Sequence, residues 1–184
     1  MMDQTSLLFV RHMETAGNCS DPPLSDQGRL EMNELLTALR KYRISRVYSS
    51  DLWRAVAPAE IISKTLGVPR ESSSSLREIR SGIEVPRPPN PTEKASNVED
   101  LDAMDSQARK DIERFEERIA KAVDDVVAEN ENSHVVVVTH SETIRAACQH
   151  LLELPLSSCD IPPPADGGIV ILTRDSSGIW HSET

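Results

Sequence analysis

The sequence predicts an α/β fold, a three-layer sandwich in which a mostly parallel central sheet is flanked by helices. Short runs of apolar, largely β-branched residues alternate with stretches whose apolar residues recur every three or four positions. A chain of 184 residues is long enough to bury a core as one domain, which we expect over residues 1–184. A polar, proline-rich stretch at about residues 81–104 fits neither pattern, so it is expected to be a short irregular insert.

The first half of the chain alternates strands and helices. The predicted elements are a strand at residues 7–10, a helix from 26 to about 41, a strand at 46–49 and a helix at 53–66. Ser25 offers an N-terminal cap to the first helix, and Asp51 does so for the second. Because proline is tolerated in a helix only near its start, we expect Pro58 to lie near the first turn.

The second half continues the alternation and ends in a hairpin. Residues 72–75 are four serines and are expected to be polar and flexible. The predicted elements are a helix at about residues 107–129, a strand at 135–139, a helix at 141–152, and strands at 169–173 and 179–181. Residues 175–178 are rich in turn formers, so the last two strands are predicted to pair.

Composition excludes several classes of partner. The formal net charge of −10 argues against a nucleic-acid or membrane surface, and no apolar run approaches the roughly 20 residues that cross a bilayer. Cys19, Cys148 and Cys159 lack metal-ligand spacing, so we expect reduced thiols and no disulfide framework. With no secretory signal recognisable at the N-terminus, a cytoplasmic location is expected. The oligomeric state is not predicted by any of these patterns.

Two histidines each follow a predicted buried strand directly. His12 follows residues 7–10 and His140 follows residues 135–139. Ligands bind at the carboxyl ends of the strands in open α/β sheets, so both histidines are predicted to share one site. Arg11 precedes the first histidine, and Arg54 lies at the start of the second predicted helix.

These residue types fit the cleavage of a phosphate ester. Such a reaction needs cations on the phosphate oxygens, a nucleophile in line, and an acid for the leaving alcohol. Arg11 and Arg54 provide guanidinium groups that can bind phosphate oxygens in a bidentate way. His12 is the candidate nucleophile, His140 a hydrogen-bond donor to the phosphoryl group, and Glu78 the candidate proton donor.

Five segments, in order, resemble the motifs of the histidine phosphatase superfamily, the phosphoglycerate mutase-like family. The segments are residues 10–15, Val-Arg-His-Met-Glu-Thr, followed by Asn18; residues 23–28, Pro-Leu-Ser-Asp-Gln-Gly; residues 49–55, Ser-Ser-Asp-Leu-Trp-Arg-Ala; residues 76–78, Leu-Arg-Glu; and residues 138–140, Val-Thr-His, followed by Arg145. The resemblance runs from residue 7 to about residue 152 and implies a phosphoglycerate mutase-like fold in a branch with a short insert.

The resemblance also implies a role for each matching residue. It assigns the phosphoryl group to His12, the pocket around it to Arg11, Arg54 and His140, contacts with the phosphate or the near part of the substrate to Asn18 and Thr15, and acid catalysis to Glu78. It implies no metal and no organic cofactor, because arginines and histidines supply the positive field that Mg²⁺ provides elsewhere.

Two departures from the family pattern lie beside the histidines. Met13 stands where the family has glycine or alanine, so a bulkier side chain is expected to narrow or reshape the pocket. Ser141 and Glu142 replace the small residues after the second histidine, and the carboxylate adds repulsion beside a phosphate site unless it serves the helix dipole. The Gly-x-Trp-x-Gly continuation after the acid is absent, so we expect a diverged specificity.

Other charged residues have simpler expected roles. Arg145 is expected to pair with Glu142 on its helix. Arg80 and Arg87, beside or within the insert, are candidates for contacting a distal anionic part of the substrate. The remaining histidines, His134, His150 and His181, are expected to be structural or exposed.

The predicted function is a cofactor-independent phosphomonoesterase that hydrolyses a small phosphorylated metabolite through a phosphohistidine on His12. A short insert favours an open site with easy access for water, and therefore hydrolysis over transfer. Two alternatives of the same class stay open, a phosphohistidine protein phosphatase and a phosphoglycerate mutase-type transferase. A noncatalytic phospho-ligand binding protein, with its chemistry lost through Met13 and Glu142, is the alternative of another class.

Overall fold

The computed structural model describes residues 4–17, 23–79, 106–154 and 164–183. The strands are β1 (Thr5–Arg11), β2 (Ile44–Ser50), β3 (Arg70–Ser73), β4 (His134–Thr139), β5 (Ile169–Arg174) and β6 (Trp180–Ser182). The α-helices are α1 (Asp26–Leu39), α2 (Trp53–Leu66), α3 (Ser106–Glu129) and α4 (Ser141–Leu151), and a 3-10 turn covers Ser74–Leu76. The predicted insert at residues 81–104 lies outside the described residues.

The strands form one sheet in the order β3-β2-β4-β1-β5-β6. The pairs β3-β2, β2-β4 and β4-β1 are parallel, whereas β5 is antiparallel to β1 and β6 to β5. The predicted α/β fold with a mostly parallel sheet is therefore confirmed, as is the final hairpin. The carboxyl ends of β1, β2 and β4 meet at one edge, and β5 starts there because Ile169 is opposite Val10.

Alternation along β1 divides the core into two halves. Leu7 and Phe9 pack with apolar residues of α3 and α4, whereas Leu8 and Val10 pack with those of α1 and α2. Successive side chains of a strand point to opposite faces of the sheet, so both faces are covered. This arrangement is the predicted three-layer sandwich.

Helix α2 and strand β3 differ from the predictions. Pro58 is the sixth residue of α2, not a first-turn residue, and its ring is buried in the core. Leu52 precedes the helix without a side-chain cap, because Asp51 instead pairs with Arg77 at 2.6 Å. Residues Arg70–Ser73 form an edge strand although they are polar, since they pair with β2 on one side only.

Two further predictions from sequence concern the cysteine thiols and membrane-spanning segments. Cys148 is a buried free thiol, and burial raises its pKa to about 12. Cys19 and Cys159 lie outside the described residues. Among the residues that the structure describes, no helix is both long and apolar enough to cross a membrane.

Candidate active site

His12 and His140 lie side by side at the carboxyl edge of the sheet. Strands β1 and β4 are parallel neighbours, and the His12 amide donates to the Thr139 carbonyl at 2.9 Å. The two imidazole rings have centroids 5.3 Å apart and planes inclined by 64°. The structure thus places both histidines in one site.

The hydrogen bond of the His12 ring determines which nitrogen is free. Nδ1 lies 3.0 Å from the Met13 carbonyl oxygen, which can only accept, so Nδ1 carries the proton. In the neutral ring, Nε2 then holds the lone pair. Burial lowers the pKa of His12 below 6.5, as do the charges of Arg54 and Arg11, while the Met13 hydrogen bond and Asp166 oppose them. A neutral ring with a free Nε2 is the nucleophilic form.

His140 has the opposite arrangement of ring nitrogens. Arg54 Nε donates to His140 Nδ1 at 3.3 Å, so Nδ1 accepts and Nε2 carries the proton. This Nε2–H is buried and has no hydrogen-bond partner among the described residues. Burial, reinforced by the charge of Arg54, lowers the pKa of His140 to about 2. His140 is therefore a neutral donor, and the positive charge of the site comes from its arginines.

Arg11 is held by the loop that precedes β5. Its Nη1 donates to the Pro164 carbonyl at 3.0 Å, and its Nε lies 2.8 Å from an Asp166 carboxylate oxygen in an ion pair not aligned as a hydrogen bond. The same loop contacts the backbone of His12, because the Gly167 amide donates to the His12 carbonyl at 3.3 Å. The sequence predicts no role for Asp166, because a carboxylate in a turn shortly before a strand is its only distinguishing feature.

Arg54 reaches the same site from the first turn of α2, as its sequence position predicts. Its guanidinium is half-buried, and burial lowers its pKa while the charge of Glu78 raises it. Through its contact with His140 it joins the histidine pair to the Glu78 side of the site. A guanidinium in this position can bind phosphate oxygens without needing a metal.

Glu78 lies at the N-terminus of α4. Its Oε2 accepts from the Glu142 amide at 3.1 Å and its Oε1 from its neighbour Ile79 at 3.0 Å. Burial is the largest influence and raises the pKa of Glu78, whereas the two amide hydrogen bonds and Arg54 lower it. A carboxyl group with a raised pKa beside a cationic site is suited to donating a proton.

Neither departure beside the histidines alters the site as expected. Met13 is fully buried with the α1 and α2 core residues, so the expectation that its side chain narrows the pocket is wrong. Glu142 is buried beside Arg145, with Arg145 Nε 2.8 Å from the carboxylate, which confirms the expected pair. The pair offsets part of the charge of Glu142, which nevertheless contributes to the raised pKa of Glu78.

The loop after His12 is fixed by α1. The Ser25 amide donates to the Glu14 carbonyl at 3.1 Å, and the Glu14 amide donates to a Glu31 carboxylate oxygen at 2.9 Å. Thr15, half-buried, forms an isolated backbone bridge with Leu24 in this loop. The other predicted substrate contacts, Asn18, Arg80 and Arg87, lie outside the described residues.

The remaining histidines have structural surroundings. His150 Nε2 lies 2.8 Å from Asp124, and His181 Nε2 lies 2.8 Å from Asp175. His134 is half-buried near Tyr42, with ring centroids 5.9 Å apart. Within the described ranges, no group of three or more histidine, cysteine, aspartate or glutamate residues could hold a metal ion.

The order of these elements and residues corresponds to a known family. The family model of the histidine phosphatase superfamily, branch 1, matches residues 7–183. The chain belongs to the histidine phosphatase superfamily. The resemblance that was based on five short segments is thereby confirmed over nearly the whole chain.

Related proteins of this superfamily include a probable phosphoglycerate mutase of Escherichia coli, which is 27% identical over 157 residues. That match covers 82% of this chain but 64% of the mutase, so the chain spans less than two thirds of its length. A "phosphoglycerate mutase-like protein 4" of Arabidopsis thaliana is 29% identical, over 79% of this chain and 70% of its own.

A solved structure with the same fold is a mycobacterial glucosyl-3-phosphoglycerate phosphatase. It superposes with a TM-score of 0.71 at 21% identity and covers 98% of both chains. At this identity the likeness concerns the fold, and it agrees with the predicted phosphoglycerate mutase-like architecture.

Proposed function

We propose that this protein is a phosphomonoesterase that hydrolyses a small phosphorylated metabolite through a phosphohistidine on His12. The observation that carries the proposal is the complementary pair of histidines, in which His12 has a free Nε2 and His140 an unpaired Nε2–H. A nucleophile and a donor at this separation suit an anionic, tetrahedral group between or beside them.

In the first step, His12 Nε2 attacks phosphorus and the bond from phosphorus to the ester oxygen breaks. Glu78 gives its proton to the departing oxygen, so the alcohol leaves neutral and the carboxylate remains. Arg11 and Arg54 bind the phosphoryl oxygens as charge spreads over them, and His140 donates a hydrogen bond to one of them.

In the second step, water attacks the phosphohistidine. The Glu78 carboxylate takes one proton from the water as the bond from phosphorus to Nε2 breaks, so inorganic phosphate leaves and His12 is again neutral. No metal or organic cofactor takes part in the proposed steps. The names of related proteins support phosphate-ester chemistry, since they include phosphatases and a probable phosphoglycerate mutase.

Transfer of the phosphoryl group is the second candidate, favoured by the mutase names among the relatives. The two reactions share the first step and differ in which acceptor takes the phosphoryl group. With 3-phosphoglycerate as substrate, hydrolysis yields inorganic phosphate, whereas a mutase yields 2-phosphoglycerate. Quantifying both products distinguishes the candidates, and we expect inorganic phosphate to predominate.

The proposal is tested by turnover of p-nitrophenyl phosphate by wild type, His12→Ala and His150→Ala. Wild type and the His150 control are expected to release nitrophenol with inhibition by vanadate, and His12→Ala to lose at least about 10³-fold in kcat. Absence of turnover from pH 5 to 8 and absence of phosphorylation of the wild type would contradict catalysis and favour a phospho-ligand binding protein. Equal activity of His12→Ala would remove His12 as nucleophile.

A further inference from the structure

A cavity of about 770 Å³ adjoins the proposed site on its Glu78 side. Arg54 and Glu78 belong to its lining, together with residues of the 3-10 turn region and of α3, whereas His12 and His140 do not. Under the proposed function, Glu78 protonates the departing oxygen, so the alcohol part of the substrate lies next to it. The cavity is therefore in position to receive the alcohol part rather than the phosphoryl group.

The charge of this cavity is opposite to that of the chain. Its ionisable lining residues are Arg54, Arg77, Arg114, Arg118, Glu78 and Asp111, four cations against two carboxylates. The chain as a whole carries a formal charge of −10. A basic cavity in an acidic protein concentrates anions locally and orients them.

The arginines differ in how far their charge is compensated. Arg77 is held by both carboxylate oxygens of Asp51, at 2.6 and 2.8 Å. Arg118 instead donates to three backbone carbonyls, those of Ser75 at 2.6 Å, Arg77 at 2.9 Å and Ser74 at 3.4 Å. Because carbonyls are neutral, these bonds fix the guanidinium of Arg118 without neutralising its charge, which the charge of Glu78 in the same cavity partly offsets.

Arg114 lies one helical turn before Arg118 on α3, so both line the same cavity. Its side chain is 71% exposed and approaches Asp111 only to 3.5 Å. Arg118 is anchored further by the ring of Phe115, whose centroid is 5.2 Å from its guanidinium carbon. The cavity thus combines one fixed and one adaptable guanidinium.

We propose that Arg114 and Arg118 bind a second anionic group, a carboxylate or a phosphate, carried by the alcohol part of the phosphomonoester. The inference rests on the proposed function and specifies its substrate class. A volume of this size accommodates a small metabolite. Arg80 and Arg87, the candidates that the sequence predicts for such a contact, lie outside the described residues, whereas Arg114 and Arg118 lie on α3.

The test compares substrates that differ in one group. 3-Phosphoglycerate and glycerol 3-phosphate share a three-carbon skeleton and differ in a carboxylate against a hydroxymethyl group. Fructose 1,6-bisphosphate and fructose 6-phosphate provide the corresponding comparison for a second phosphate. We expect wild type to prefer the doubly anionic member of at least one pair by about tenfold or more in kcat/KM, mainly through KM.

The variants are Arg114→Gln and Arg114→Glu, with Arg43→Gln as the matched control. Arg43 is exposed and directly precedes β2, so it lies at the amino ends of the parallel strands, away from the cavity. Its replacement by glutamine removes the same charge as Arg114→Gln. We expect Arg114→Gln to reduce the preference about threefold and Arg114→Glu about tenfold, and the control to leave it unchanged. Arg118→Gln is expected to reduce it at least as strongly, with circular dichroism and thermal unfolding reporting that this variant is folded.

A ratio near one in wild type for both pairs would overturn the inference, as would an equal loss in Arg43→Gln, because that loss would reflect the general field of the protein. If p-nitrophenyl phosphate is hydrolysed while these ratios stay near one, the proposed function stands and the inference alone fails. If the wild type hydrolyses none of the substrates, both fail together.

Discussion

At the scale of single residues, the site works through protonation states that burial and neighbouring charges determine. His12 and His140 are both held neutral, yet their hydrogen bonds give them opposite roles, with a lone pair on one Nε2 and a proton on the other. The pKa of Glu78 is raised, so its carboxyl group stays protonated to higher pH. The arrangement is therefore prepared for attack and for protonation of a leaving group.

Replacing Glu78 with glutamine is expected to slow the reaction of substrates with poor leaving groups more than that of substrates with good leaving groups. Glycerol 3-phosphate releases a poor leaving group and should lose about 10²- to 10⁴-fold in kcat/KM, whereas p-nitrophenyl phosphate should lose far less, because kcat/KM reports the first step and not the hydrolysis of the intermediate that both substrates share. If the raised pKa of Glu78 sets the alkaline limb of this profile, that limb should disappear from Glu78→Gln. The measurement is kcat/KM against pH for both substrates.

The glutamine side chain retains an oxygen that can accept from the Glu142 amide, so the contact at the N-terminus of α4 should persist. Thermal unfolding of the variant checks that it does. Equal losses on the two substrates would contradict the role of Glu78 as the acid.

Asp166→Asn is expected to change both the pH dependence and phosphate binding. The charge of Asp166 raises the pKa of His12, so its removal lowers that pKa and keeps His12 neutral to lower pH. The acidic limb of kcat/KM should move to lower pH. Freed from its ion pair, Arg11 should bind inorganic phosphate roughly threefold more tightly, measured as product inhibition.

Asp124→Asn is a suitable control for this change, because Asp124 pairs with His150 on another part of the surface. An acidic limb that stays in place, or moves equally in the control, would exclude Asp166 from the electrostatics of His12.

At the scale of elements, helices α1 and α2 support the loop that follows His12, the proposed nucleophile. Met13 inserts into their shared core directly after His12. We expect Met13→Ala to lower the free energy of unfolding by about 2–5 kcal/mol and to change KM by less than about twofold. Urea denaturation and steady-state kinetics measure the two effects, with the exposed Leu30→Ala as control.

A large change in KM with an unchanged free energy of unfolding would instead show that the Met13 side chain lines the substrate pocket.

The contact between α1 and this loop is equally close at Gly28. A Cβ atom there would overlap the carbonyl oxygen of Glu14. We expect Gly28→Ala to cost about 1–3 kcal/mol of stability and to reduce kcat, because the loop after His12 must shift. Urea denaturation beside kcat tests this, with Asn33→Ala on the exposed face of α1 as control. A fully active, fully stable Gly28→Ala would show that the loop tolerates displacement.

Predictions from sequence succeeded where periodicity was strong. The apolar runs around His12 and His140 and the stripe of α3 identified their elements to within a few residues. Strand β3 is not predicted from sequence, because a polar edge strand of Arg, Glu and two Ser shows no alternation of apolar residues. Met13 was misjudged because its proximity to His12 in sequence does not reveal that its side chain turns into the core.

The sequence also predicts the main candidate residues of the site, but it does not predict the residues that contact them. Strand ends and motifs pointed to both histidines, Arg11, Arg54 and Glu78. Asp166 and Arg118 were not identified, because each acts through contacts with residues distant in the chain, Asp166 with Arg11 and Arg118 with carbonyls near residue 75. Such contacts become visible only once the sheet order is known.

At the scale of the whole molecule, sheet order explains why distant segments form one site. Strands β3, β2, β4 and β1 are parallel neighbours, and β5 returns antiparallel, so five connections of the described chain reach the same edge. Positive charge is gathered there in a chain of net charge −10. Under the proposed function, the fold directs a small anion to one place on an acidic protein.

The proposed covalent phosphoryl group on Nε2 of His12 can be trapped and located directly. Wild-type protein mixed with excess ³²P-labelled phosphomonoester and quenched within milliseconds should retain an acid-labile, alkali-stable label, located by peptide mass spectrometry on His12. The label should be absent from His12→Ala. With p-nitrophenyl phosphate as donor, whose leaving group needs no acid, it should accumulate in Glu78→Gln because hydrolysis of the intermediate is slowed. Turnover by wild type with no trapped label, or with the label on another residue, would contradict the account.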